Sequence, residues 1–318
     1  MKSLIRSLLL ALALTTGAWV PVQAQTFEQS FAAYERQDYR TAFAGFKKLA
    51  AQGDVYAQFN LGNMYANGQG VPKDDQQAVA WYRKAAEQGN AMAQFNLGNM
   101  YANGQGVPKD DQQAVAWFRK AAEQGNDCAQ FSLGLMYDNG QGVPKDEQQA
   151  AAWYRKAAEQ GNDRAQVNLG LMYANGQGVP KDDQQAVAWF RKAAEQGNDR
   201  AQFNLGGMYY KGQGVPKDEQ SAYFWWLLAS ARGNQSAVNN RDIVERRLSP
   251  AQRAAAQAAA RNWQPKTAAQ SSSVPGGSSA GAGGSNPTPA ARPLRGPKPT
   301  AAAAAFAWRA VPLSPTTM

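Results

Sequence analysis

From residue 57 onward the apolar positions follow a helical period. Ala57, Leu61, Met64 and Tyr65, at i, i+4, i+7 and i+8, make one stripe of a helix over about 57–66. Asn67 and Gly68 supply the left-handed backbone that a helix stop prefers, and Gly70 and Pro72 hold the turn that follows. Asp74 then caps a second helix, with Gln77 three residues on as in a capping box. That helix presents Ala78, Trp81, Tyr82 and Ala85 at i, i+3, i+4 and i+7, and stops at Gly89 and Asn90. The pattern therefore predicts a helical hairpin.

The same pattern returns almost letter for letter, with new copies beginning at Ala93, Ala129, Ala165 and Ala201, a strict period of 36 residues over five copies. A fixed period of this length marks a solenoid, in which each unit buries its apolar face only against its neighbours. The fold class is accordingly an all-α solenoid of antiparallel helix pairs. Gly62 and Ala78 recur in every copy, at points where a bulky side chain would hold the paired helices apart. Trp81, Trp117, Trp153, Trp189 and Trp225 supply large apolar area once per repeat and read as core rather than as a ligand-stacking ladder.

The pattern degrades at both ends. Residues 25–56 read as a shortened first unit, with helices over 27–34 and 39–51 and without the inter-helix loop of the later copies, as expected of a terminal repeat. Full units occupy 57–92, 93–128, 129–164, 165–200 and 201–236. In the last, Tyr223-Phe-Trp-Trp-Leu-Leu228 replaces a more polar segment and calls for a cover. Residues 237–264 are the expected cap, built from helices over 235–247 and 250–263, the second opened by Ser249 with Pro250 at its first position. Residues 265–318 turn to Ala, Pro, Gly, Ser and Thr and are expected to be a disordered tail. Within it, 301–311 carries Phe306 and Trp308 and reads as plain tail rather than a sticky motif. Residues 1–24 read as a cleavable signal peptide: Lys2 and Arg6, an apolar run over 8–14, then Val22-Gln23-Ala24, with cleavage expected after Ala24. The apolar run is far shorter than the roughly 20 residues that span a bilayer. A periplasmic or secreted location is expected.

Charge and composition narrow the chemistry. The formal net charge is +9, but residues 25–264 hold 26 cations against 24 acids, and the remaining cations sit in the leader and the tail. A near-neutral, mixed-sign body is no footprint for a phosphate backbone, so nucleic acid is not an expected partner. There is no histidine and a single cysteine, Cys128. That excludes an intrachain disulfide, histidine-based metal sites and the His-dependent nucleophile arrangements. No cofactor or metal is expected. The acid pair Asp74-Asp75 is read as helix capping, not as a cation site. Arg83, Lys84 and Glu87, repeated through the units, are read as a solvated charged face.

The spaced residues Leu61-Gly62, Tyr65, Gly68, Gly70-Val71, Asp74, Ala78, Trp81, Lys84-Ala85-Ala86 and Gly89, recurring in five copies, closely resemble the Sel1-like repeat family, a relative of tetratricopeptide repeats with a longer inter-helix loop. With the first unit and the cap the resemblance covers roughly residues 27–263. It implies a right-handed superhelix whose first helices line a concave face, and adaptor or scaffold roles in protein assemblies. Some cysteine-rich members are reported to bind or hydrolyse β-lactams; this chain lacks their paired cysteines.

The five copies also allow the chain to be compared with itself. On the first helix the side opposite the apolar stripe carries the positions at which copies differ. Asn63, Asn99, Leu135, Leu171 and Gly207 form one series, Ala66, Ala102, Asp138, Ala174 and Tyr210 a second, and Tyr56, Met92, Cys128, Arg164 and Arg200 a third. Phe59, Phe95, Phe131, Val167 and Phe203 add an apolar row that either packs under the neighbouring second helix or forms a stripe along a groove; the groove is the reading adopted. Asn60, Asn63 and Asn67 flank it with amides suited to a peptide backbone. The candidate partner-binding residues are thus Phe59, Asn63, Ala66, Met92, Phe95, Asn99, Cys128, Phe131, Leu135, Asp138, Arg164, Val167, Leu171, Arg200, Phe203 and Tyr210. The expected function is an exported, non-enzymatic scaffold that binds a protein or peptide, in envelope assembly or at a host receptor. An envelope enzyme or binding protein acting on β-lactams or peptidoglycan is the alternative.

Overall fold

The computed structural model describes residues 26–266, so the expected leader and the tail beyond 266 lie outside the described residues. The described chain is all helix: α1 Phe27–Glu35, α2 Tyr39–Ala51, α3 Val55–Asn67, α4 Asp75–Glu87, α5 Ala91–Asn103, α6 Asp111–Glu123, α7 Asp127–Asn139, α8 Glu147–Glu159, α9 Asp163–Asn175, α10 Asp183–Glu195, α11 Asp199–Lys211, α12 Glu219–Ala231, α13 Gln235–Glu245 and α14 Pro250–Asn262. The described residues divide into two compact units, the first ending at Ala114 and the second beginning at Val115.

The first helix of each repeat starts earlier than the periodicity suggests. Asp54 accepts from the Ala57 N–H at 2.7 Å and so caps α3, which begins at Val55. Asn90, Asn126, Asn162, Asn198 and Asn234 do the same for the first helices that follow, each cap contributing about 1 kcal/mol. Asn90 is therefore a start signal for α5 rather than part of the stop of α4. The repeat boundaries move two residues toward the N-terminus for this reason. Asp74 accepts from the Gln77 N–H at 3.0 Å. The reciprocal capping box is seen at Thr26 with Gln29 and at Ser249 with Gln252.

The first unit contains α1 to α5. In the α3–α4 hairpin Gln58 meets Gln88, Gly62 meets Tyr82 and Gly68 meets Lys73, so the two helices run antiparallel. The approach at Gly62 is close enough that an added Cβ would lie 2.6 Å from the Tyr82 ring. Gly70, at φ 72°, lies against the Tyr39 carbonyl at the start of α2, where any side chain would collide; Gly106 stands in the same relation to Asp75. The Gly-x-Gly loop thus stops one helix with its first glycine and packs onto the preceding hairpin with its second.

The second unit repeats these devices. Gly134 faces Tyr154, Gly170 faces Phe190 and Gly206 faces Trp226, with an added Cβ at 2.6–2.7 Å in each case. The residue after the tryptophan is a deeply buried aromatic in each of these repeats: Tyr82, Tyr154, Phe190 and Trp226 are at most 2% exposed. The tryptophans themselves are shallower than the periodicity suggests. Trp81, Trp117 and Trp153 are half-buried and Trp189 is buried at 9% exposure. Trp189 still packs with Tyr154, Leu169 and Met172, so the row is structural, joining one hairpin to the previous one. A lysine ammonium lies over each ring: Lys84 over Trp81 at 4.1 Å, Lys120 over Trp117 at 4.1 Å, Lys156 over Trp153 at 3.9 Å and Lys192 over Trp189 at 4.3 Å. The cap α13–α14 covers the last hairpin by burying Ala237, Val244, Leu248 and Ala256 against Tyr223 and Trp226.

Candidate interaction site

The apolar row is core, and this corrects the groove reading. Phe59, Phe95, Phe131 and Val167 are between 2% and 9% exposed. Phe59 lies 6.1 Å from the Tyr82 ring and Phe131 5.8 Å from Tyr154. The helical period sets this row opposite the first stripe, but each first helix is covered on that side by the aromatic of its own second helix. Only Phe203, at the end of the series, is left half-buried. In the first unit Asn63 is also engaged internally: its Oδ1 accepts from the Tyr82 hydroxyl at 2.7 Å and from Asn96 Nδ2 at 3.3 Å. Burial pushes the Tyr82 hydroxyl well above the usual tyrosine range, which keeps it a donor to Asn63. Ala66, Met92 and Asn99 are half-buried.

The second unit places the remaining candidates in two environments. Near its start, Cys128 is half-buried, and burial with the adjacent Asp127 pushes its thiol up to about 11, which suppresses the thiolate at neutral pH. Arg164 is exposed and stacks its guanidinium 4.7 Å from the Phe131 ring. Leu135 packs on the core beside Tyr154, and Asp138 accepts from the Tyr154 hydroxyl at 3.4 Å. Arg200 is exposed on α11.

Leu171, Phe203 and Tyr210 converge. Together with Ala174 and Gly207, which belong to the variable series of Tyr210 and Leu171, they line a cavity of about 580 Å³ between α9, α11 and α13. Its floor is apolar: Phe190, Met208 and Trp226 come from the repeats, Val244 and Ile243 from the cap. Ile243 is 51% exposed. Gly207 leaves the space open, since an added Cβ there would meet nothing within 4 Å, whereas the equivalent positions 135 and 171 carry leucine. Trp226 is fixed by its indole N–H donating to the Phe203 carbonyl at 3.0 Å. Arg247 donates to the Tyr210 hydroxyl at 2.9 Å and holds that ring at the edge of the cavity. Lys181, Lys211, Asp183 and the amides of Asn175, Asn204, Gln213 and Asn240 form the rim.

Three features escape the sequence reading. Lys211 stands where the other copies have Asn67, Asn103, Asn139 and Asn175, and that difference is visible in the repeat comparison. Ile243 and Asn240 belong to the cap, which has no second copy to differ from. The third is a set of contacts that link hairpins: Arg83 donates to the Tyr101 hydroxyl at 2.6 Å, and Arg119, Arg155 and Arg191 repeat the bond to Tyr137, Tyr173 and Tyr209 at 2.6–2.7 Å. The outer arginines are therefore staples as well as part of a charged face. Among the described residues no group of three or more acids, cysteines and histidines is placed to hold a metal.

A chain of short antiparallel helix pairs, stacked through small-residue contacts and ended by an apolar cap, defines the class of tetratricopeptide-like repeat proteins. The Sel1 repeat profile matches residues 55–90, 91–126, 129–162, 163–198 and 199–234, more than half of the chain, and the protein belongs to that family. Its fold is similar to that of a Sel1 repeat protein from Oxalobacter formigenes, at 39% identity over 67% of this chain and 88% of that one, with a TM-score of 0.64. It is also similar to a protective antigen of uropathogenic Escherichia coli displaying an SLR fold, at 32% identity over 82% of this chain and 66% of that one, with a TM-score of 0.51. A comparison with curated proteins finds no significant match. Sel1 repeats are protein-interaction scaffolds and are generally not enzymes. No described helix is long and apolar enough to cross a membrane.

Proposed function

We propose that the protein is an exported scaffold that binds a protein or peptide partner through the cavity of its last repeat. The observation that carries this reading is the convergence of Leu171, Gly207 and Tyr210, three of the positions that distinguish otherwise near-identical repeats, with Phe203 on one apolar space with a polar rim. Most repeat residues are used up in stacking: Leu97, Leu133, Leu169 and Leu205 are fully buried, and Asn63 of the first repeat is bonded to Tyr82 and Asn96. At the last repeat the same positions face open space. A cavity of this size and mixed lining falls in the range of roughly 300–1,000 Å³ that accommodates small ligands or anchor side chains. The signal-like pattern of residues 1–24 supports export, as does the resemblance to a protein described as a protective antigen.

The test compares capture from cell-envelope extracts by the wild-type protein and by Gly207→Trp, which fills the cavity from within α11. At least one protein recovered by the wild type should be lost with the variant; identical recoveries would contradict the proposal. Export is checked by N-terminal sequencing of protein from the periplasmic fraction or the medium. The expected first residue is Gln25, and an uncleaved chain retained in the cytoplasm would contradict export.

A further inference from the structure

We propose that this cavity is selective for an acidic segment carrying one large apolar side chain, an inference that deepens the interaction reading and rests on it. The apolar requirement comes from the floor. Leu171 and Phe203 are half-buried, Ile243 is exposed on the cap, and Gly207 removes the one side chain that would fill the space between them. A leucine or aromatic side chain entering there would bury the most exposed large aliphatic side chain of the described residues along with its own area.

The acidic requirement comes from how the lysines are paired. Lys73, Lys109, Lys145 and Lys217 occupy equivalent loop positions, and each forms an ion pair with the acid two residues on, at 2.9–3.6 Å. Lys181 is the exception. It makes no such pair with Asp183, and both residues line the cavity. Lys211 joins Lys181 on the rim at the C-terminal end of α11, again without a carboxylate partner. Glu219 is already shared by Lys217 at 3.2 Å and Arg247 at 3.5 Å, so it does not neutralise the rim. Asp183 is the one acid among the lining residues, set against two lysines. Carboxylates flanking the inserted side chain would complete ion pairs that the protein itself leaves open, while the amides of Asn204 and Asn240 bond the segment's backbone. The protein's own residues 267–318 do not meet this description: they contain no Asp or Glu, and Arg292, Arg295, Lys298 and Arg309 would face the lysines. The occupant is therefore a segment of another protein.

The test is selection from a displayed random peptide library on the full-length protein and on three variants: Lys181→Glu/Lys211→Glu, Gly207→Trp and, as a distant control, Lys84→Glu. The wild type and Lys84→Glu should enrich peptides in which an aromatic residue or leucine is flanked by Asp or Glu. The lysine variant should bind synthetic copies of these at least about tenfold more weakly, and rising salt should weaken wild-type binding. Gly207→Trp should lose them. Thermal melting confirms that each variant is folded, and the lysine variant carries the test if the filled variant is not. Enriched peptides that are neutral or basic, or acidic ones that bind all variants equally, would overturn the inference while leaving an interaction role elsewhere on the chain. Failure of the wild type to enrich any peptide would overturn both.

Discussion

Gly206 and Gly207 are adjacent in α11 and do opposite work. At Gly206 an added Cβ would lie 2.6 Å from the indole nitrogen of Trp226, a buried ring held by its own hydrogen bond, and nothing there gives way easily. At Gly207 it would enter open space on a helix that gains from losing glycine's backbone freedom. Gly206→Ala should therefore destabilise the protein by about 1–3 kcal/mol. Gly207→Ala should stabilise it by about 0.5–1 kcal/mol. Urea unfolding of the two variants checks both signs; equal effects would contradict the close helix approach. The residue scale also shows what the repeat comparison reads well and badly. It identified Gly62 and its counterparts as spacers, and Leu171 and Tyr210 as departures. It misjudged Phe59, Phe95, Phe131 and Val167, because persistence of a large apolar residue fits a packed interior as well as a groove, and periodicity within one helix carries no information about which second helix covers it.

Hairpin stacking is held by apolar contacts and by a regular set of polar ones. Gln58 donates from Nε2 to the Ala50 carbonyl at 3.2 Å and accepts from Gln88 at 2.8 Å, and Gln130 with Gln160 and Gln166 with Gln196 repeat the pair at 2.7–2.8 Å. The last copy breaks this rule: Arg232 stands where the glutamine donor belongs, and the buried Oε1 of Gln202 has no protein partner. The Arg–Tyr staple is the simplest of these contacts to weigh. A double-mutant cycle with Arg155→Ala and Tyr173→Phe should return a coupling of about 0.5–1.5 kcal/mol by equilibrium unfolding, reflecting an exposed bond to a charged donor. A coupling near zero would return the arginine row to the solvated face that its sequence pattern suggests. Helix identity and order were legible because caps, glycine stops and apolar periods agree in five copies. The staples were not, since the partners lie 18 residues apart on different hairpins, the arginine belongs to no apolar period and the tyrosine counts there only as an apolar position.

For the molecule as a whole, the repeats build the scaffold and the last repeat with its cap builds the cavity proposed as the site. The cap was legible as a cover for Tyr223 and Trp226, yet its second role was hidden: α13 also closes one side of the cavity with Asn240, Ile243 and Val244. A solenoid cap has no neighbour to match, so its outward residues are released from the stacking code that constrains the other units. Hydrogen exchange places the site most directly, measured on the full-length protein with and without a saturating partner or selected peptide. The slowing should concentrate in 203–211 and 240–244, the parts of α11 and α13 that border the cavity, and leave 55–67 and 83–87 unchanged. Slowing confined to the earlier repeats, with α11 and α13 unaffected, would contradict the assignment of function to the last repeat.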